Sequence, residues 1–109
     1  MDEASFDSAA RTELARIEDA LADVDPDDIE VSTSDGVLRL DLRDGTKIVI
    51  NSHRAARQIW MAAERNAWHF DWDGERSAWV AKKNGDELWS ALSRVLTQKL
   101  GKPVSLSRN

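Results

Sequence analysis

The sequence predicts an α+β two-layer sandwich, with N- and C-terminal helices packed on one face of an antiparallel sheet of about six strands. Three observations predict it. Apolar residues near both ends recur every three or four positions, the spacing of a single buried helical stripe. Between them, short segments alternate apolar and polar side chains with a period of two. Turn-forming pairs such as Asp44-Gly45 and Asp73-Gly74 join those segments too closely for crossover connections.

The first helix is marked by Phe6, Ala10, Leu14, Ile17, Leu21 and Val24. "DPDD" at 25–28 ends it, because Pro26 cannot continue the helix and biases Asp25 toward extended geometry. "IEVST" at 29–33 opens the strands and turns at Ser34-Asp35-Gly36. "VLRLDLR" at 37–43 sets Leu38, Leu40 and Leu42 on one face and Arg39 and Asp41 on the other. Asp44-Gly45 is a hairpin turn, and "TKIVIN" at 46–51 completes the pair. "RQIWMAA" at 57–63 is a fourth strand. "AWHFDW" at 67–72 alternates Trp68, Phe70 and Trp72 against His69 and Asp71, and "SAWVAK" follows the second turn. In the last helix, Asn84 is the expected N-cap and Glu87 its capping-box partner. Leu88, Leu92, Val95, Leu96, Lys99 and Leu100 then keep the helical period until Gly101 and Pro103 stop it.

A chain of 109 residues with no internal repeat or low-complexity linker is expected to form one domain, 1–109. No apolar run approaches membrane-spanning length, and "MDEASFDSAARTEL" is acidic where a signal peptide would be basic. The absence of Cys excludes disulfides, thiolate ligands and a Cys nucleophile, and a cytoplasmic setting is expected. The charge is uneven. Residues 1–30 carry eleven Asp or Glu against Arg11 and Arg16, whereas residues 31–109 are net basic. That first third repels nucleic acid and attracts cations or a basic protein surface.

The acid is densest in "EDALADVDPDDIE", residues 18–30, where seven carboxylates meet no Lys or Arg. On an ideal helix Asp19 and Asp23 stand one turn apart, opposite the buried stripe. Like charges there cost about 0.2–0.5 kcal/mol, and anions in a last helical turn cost about 0.3–1 kcal/mol more. Such a local conflict without visible compensation points toward function, although a solvated face that aids solubility gives the same pattern. As ligands, these hard oxygens suit Ca²⁺, Mg²⁺, Mn²⁺ or iron. An EF-hand fails the test of spacing. Asp23, Asp25 and Asp27 match loop positions one, three and five, but Asp28 stands in place of the Gly and Ser34 in place of the bidentate Glu. A shallow carboxylate surface with little geometric selectivity remains.

Four of the five tryptophans, Trp68, Trp72, Trp79 and Trp89, are expected in the core. In "QIWMA" the alternation puts Ile59 and Met61 on the core face and Gln58 and Trp60 on the other. If both helices cover one face, Trp60 is exposed and fits a partner anchor; a slipped register would bury it. His69 falls on the same open face, with His53 in a loop, and two His without Cys do not make a zinc site. No phosphate loop, nucleophile elbow or nucleotide fingerprint is present, so no catalytic residue is assigned.

The acidic first helix, "DGVLRLDL", "DGTKIVIN", "QIWMA", "WHFDW", "AWVAKKNGDELWSALSRVL" and the closing "GKPVSLS" together resemble a bacterial frataxin of the CyaY type, in order and along nearly the whole chain. The most specific parts are "INSHRAARQIW" and "NGDELW". The resemblance implies the same α-β6-α sandwich. It also implies an acidic ridge that binds Fe²⁺/Fe³⁺ weakly, falling here on Glu18, Asp19, Asp23, Asp25, Asp27, Asp28 and Glu30. It further implies a role in iron–sulfur cluster assembly, through contact with the cysteine desulfurase and its scaffold protein. Asn51, His53, Gln58, Trp60 and His69 would face those partners from the open sheet. Departures lie at Ala22 and Ser32, where bacterial members often carry an acid, at His53 for a common Gln, and in the missing Pro before "QIW". The expected protein is a non-enzymatic monomer with no tightly bound cofactor. The alternatives are a metal-independent docking module, or a ferroxidase that stores iron in oligomers.

Overall fold

The computed structural model describes residues 1–108. Asp2 caps the first helix, α1 (Glu3–Leu21), by accepting the backbone N–H of Ser5 at 2.8 Å. Phe6, Ala10, Leu14, Ile17 and Leu21 form its buried stripe, as their spacing predicts. The helix stops before Val24. Ala22 N–H returns to the carbonyl of Asp19 at 3.2 Å and Val24 N–H to that of Leu21 at 3.0 Å, tightening the end well ahead of Pro26. No basic residue lies in the last turn to offset the dipole against Glu18 and Asp19.

Six strands follow in a meander: β1 (Ile29–Ser34), β2 (Val37–Leu42), β3 (Lys47–His53), β4 (Gln58–Ala63), β5 (Asn66–Asp73) and β6 (Ala78–Val80). Spatial order equals sequence order and every neighbouring pair is antiparallel. Asp35 and Gly36 both take positive φ, 43° and 79°, which gives the β1–β2 hairpin a two-residue turn matched to strand twist. Leu38, Leu40, Ile48, Ile50, Ile59, Met61 and Phe70 are all almost fully buried, and they share the face that the helices cover. Of the tryptophans, Trp68, Trp79 and Trp89 are core, while Trp72 is half-buried with its ring edge-on to Trp79.

The second helix, α2 (Leu88–Leu100), is capped by Glu87 and not by Asn84. Gly85 takes φ 78° and Ala81 N–H bonds the carbonyl of Asp86 at 2.8 Å, so residues 84–86 form a turn that folds back on β6. Asn84 instead accepts from Asp86 N–H inside that turn, and the Glu87 carboxylate accepts from Trp89 and Ser90 N–H. Gly101, with φ 71°, closes the helix in the left-handed conformation.

Two polar locks tie distant segments to this core. Glu13, 1% exposed on α1, accepts the indole N–H of Trp89 at 2.6 Å and pairs with Arg108 at 3.0 Å. Arg108 also lies over the Trp72 ring at 5.4 Å, and Thr97 and Ser93 bond the backbone of Val104 and Leu106. The tail is thereby laid along α2. The second lock is Asp28, at the start of β1, which is ion-paired with Arg43 at 3.0 Å and with Lys102.

Glu13→Ala should lower stability by about 3 kcal/mol, because it leaves the Trp89 N–H without an acceptor and the Arg108 charge without a partner. Glu13→Gln, which keeps an acceptor, should cost roughly half as much in urea unfolding. At Asp28, the Lys102 ammonium, and then Arg43, hold the carboxyl below its usual range. A depressed folded value means the stabilisation is complete above the unfolded carboxyl's ordinary value and fades as pH falls through the lower folded one. The stability gap between the unaltered chain and Asp28→Asn should therefore be flat from neutrality to about pH 5 and narrow below about pH 4. A gap that widened on acidification would contradict the assignment.

Candidate functional site

Two surfaces carry the residues singled out by sequence. The first is the acidic corner where α1 runs into β1. Glu18 and Asp19 lie in the last turn of α1, Asp23 and Asp25 in the connection, Asp27 beside Pro26 and Glu30 in β1. All six are exposed, and among the described residues none forms an ion pair. Because α1 ends at Leu21, Asp23 belongs to a turn and not to the helical face shared with Asp19. Asp25 is partly committed, accepting the backbone N–H of Asp27 at 2.9 Å.

Asp28 does not share this exposure. Its carboxylate is buried and flanked by Arg43 and Lys102, so its charge is neutralised on the spot. The sequence could not reveal this, since Lys102 lies 74 residues away. Among the described residues, no three His, Asp or Glu side chains converge closely enough to hold a metal ion. The corner is a field of separate carboxylates, suited to diffuse attraction of cations and not to a closed coordination shell.

The second surface is the open face of the sheet. Register places Asn51 of β3 beside Trp60 of β4, and Trp60 beside His69 of β5. Ile59 and Met61 are buried on the other side, so the register in which Trp60 faces outward is the one adopted. Trp60 is not bare, however. Its ring is stacked between two imidazoles, His53 at 3.9 Å and 16° and His69 at 4.3 Å and 17°. Its indole N–H donates to Gln58 Oε1 at 2.8 Å, and Gln58 donates onward to Asp71 at 3.2 Å. Sequence reading put His53 in a loop, but it is the last residue of β3, which is why its ring reaches Trp60. Asp71 was not singled out; its place beside Gln58 in the β4–β5 register is the signal that could have found it.

The stack fixes a large aromatic side chain at low entropy cost, on a face also bearing Val37, Val49 and Ala62. Among the described residues the Asn51 side chain bonds only to the neighbouring Ser52 carbonyl, at 3.3 Å, and has donor and acceptor capacity left.

A family model described as a frataxin-like domain matches residues 1–102. The iron–sulfur cluster assembly protein CyaY of Cupriavidus necator is 39% identical over 109 residues, covering 97% of this chain and 96% of its own. The protein of the same name from Dechloromonas aromatica is 37% identical, covering 97% and 99%. Among solved structures, the frataxin of Psychromonas ingrahamii shares the fold with a TM-score of 0.88 at 23% identity, over 98% and 99% of the two chains. A trimeric yeast frataxin complexed with ferrous iron superposes with a TM-score of 0.69 at 28% identity, over 94% and 88%. With a matching model over nearly its whole length and relatives of this kind covering almost all of it, this chain belongs to the frataxin family.

Proposed function

We propose that this protein is a non-enzymatic regulator of iron–sulfur cluster assembly that takes up Fe²⁺/Fe³⁺ loosely as cargo on its acidic corner. It works as a single domain in the cytoplasm, touching a cysteine desulfurase and its scaffold protein. The observation that carries this reading is the contrast in charge pairing. Six carboxylates between Glu18 and Glu30 stand exposed and without an ion pair among the described residues, while Asp28 in their midst is fully compensated. The names of the relatives supply the pathway, and the ferrous complex of the yeast relative supports iron as the cation. Asp28, already neutralised, is left to hold the corner together. Asn51, His53, Gln58, Trp60 and His69 then form the contact surface for the protein partners.

One observation favours a second reading. Since no three ligands converge among the described residues, the corner also suits a metal-independent docking surface for a basic partner. Anaerobic NMR titration with Fe²⁺ separates the two. Broadening confined to residues 18–30 is the expected result, and an unaffected corner would remove the iron role. Reversal of charge by Asp19→Lys with Asp23→Lys should weaken desulfurase binding and flatten its salt dependence. Trp60→Ala should weaken binding to the desulfurase–scaffold complex by about 2 kcal/mol, the scale of an aromatic anchor, measured by calorimetry below the variant's Tm.

A further inference from the structure

The two edges of the sheet are not equally protected. At one edge, β6 is only three residues long, Glu87 bridges Val80, and Arg108 bonds the Ser77 carbonyl. At the other, β1 is six residues long and pairs with β2 in unbroken register from Ile29–Leu42 to Ser34–Val37. It contains no Lys, no Pro and no bulge, the usual devices that keep an edge from accepting another strand.

The phase of the ladder shows which backbone groups are free. Arg43 N–H donates to the Asp28 carbonyl at 2.9 Å, so the even-numbered residues of β1 exchange bonds with β2 and the odd-numbered ones point outward. The outward N–H of Ile29 is taken by the Asp25 carbonyl at 3.2 Å. Among the described residues nothing bonds the outward groups of Val31 or Thr33. Beside them runs a groove of about 530 Å³ between α1 and the β1–β2 hairpin, lined by Leu14, Glu18, Thr33 and Val37 among others, and also by Arg11 and by Arg54, which is paired with Asp7.

We infer that β1 accepts an extended Lys/Arg-rich segment of a partner protein as a seventh strand, with Val31 and Thr33 supplying the backbone pairing. Charge chooses the occupant. Glu30 on the strand and Glu18, Asp25 and Asp27 around it carry no compensating base, so a basic segment is drawn in. A second copy of the chain would instead bring two such acidic stretches together, with no base in either. This rests on the acidic corner being a docking surface, as read above, and adds main-chain pairing to it.

The test uses end-blocked Lys-Val-Lys-Val-Lys-Val and its Glu-for-Lys counterpart on the full chain, read by NMR amide hydrogen exchange. The basic peptide should slow exchange at Val31 and Thr33 at least tenfold, and the acidic one should not. Thr33→Pro removes an outward donor and no ladder bond, so the fold should persist while peptide affinity drops at least tenfold. If that variant fails to fold, the exchange result on the unaltered chain still decides. Shifts across residues 18–30 without protection at Val31 and Thr33 would overturn strand addition and leave the docking surface standing. No binding of the basic peptide would overturn both. Protection that grows with protein concentration alone would name a second copy as the occupant and overturn this choice.

Discussion

Burial on one side only is the constraint from which the rest of this structure follows. Two helices cover one face of a six-stranded meander, and side chains alternate strictly between the faces. Leu38, Ile50 and Met61 can meet the helices only if their neighbours Val37, Asn51 and Trp60 face outward. A shift of one residue in any strand would exchange the two sets, replacing an apolar core with Asn, Gln and His. The hydrophobic energy of the core is therefore also what fixes the outward surface. The aromatic stack at Trp60 then refines a position already decided by packing.

Charge is organised by the same division. Carboxylates that join elements are matched: Asp28 to Arg43 and Lys102, Glu13 to Arg108, Asp86 to Arg94, Glu64 to Lys99. The exposed acids from Glu18 to Glu30 are unmatched among the described residues, and the helix that carries two of them ends early with no base in its last turn. Within that corner Asp28, and further back on α1 Glu13, draw their bases from other elements. An unmatched field of this kind acts at a distance, and among the described residues it forms no shell for an ion.

Much of this was legible in the sequence because it depends on local periodicity. The six strands follow from alternation, the burial of Phe6 through Leu21 from helical spacing, and the outward face of Trp60 from its place between Ile59 and Met61. What escaped depends on partners far along the chain or on competing turns. Nothing local marks Asp28 as neutral in its surroundings, since its partners stand in the β2–β3 turn and beyond α2. The cap moved from Asn84 to Glu87 because the left-handed Gly85 turns the chain back onto β6 before the helix begins. The Trp60 stack escaped because His53 extends β3 past the predicted strand end.

The bond from Glu13 to Trp89 has a kinetic side. It joins groups 76 residues apart, whereas each strand of the meander pairs only with its neighbour in sequence. Closing neighbouring hairpins costs little chain entropy, and closing the ends of the whole domain costs more. The sheet can thus assemble from short loops, and the meeting of the two helices is the long closure, sealed by one buried carboxylate.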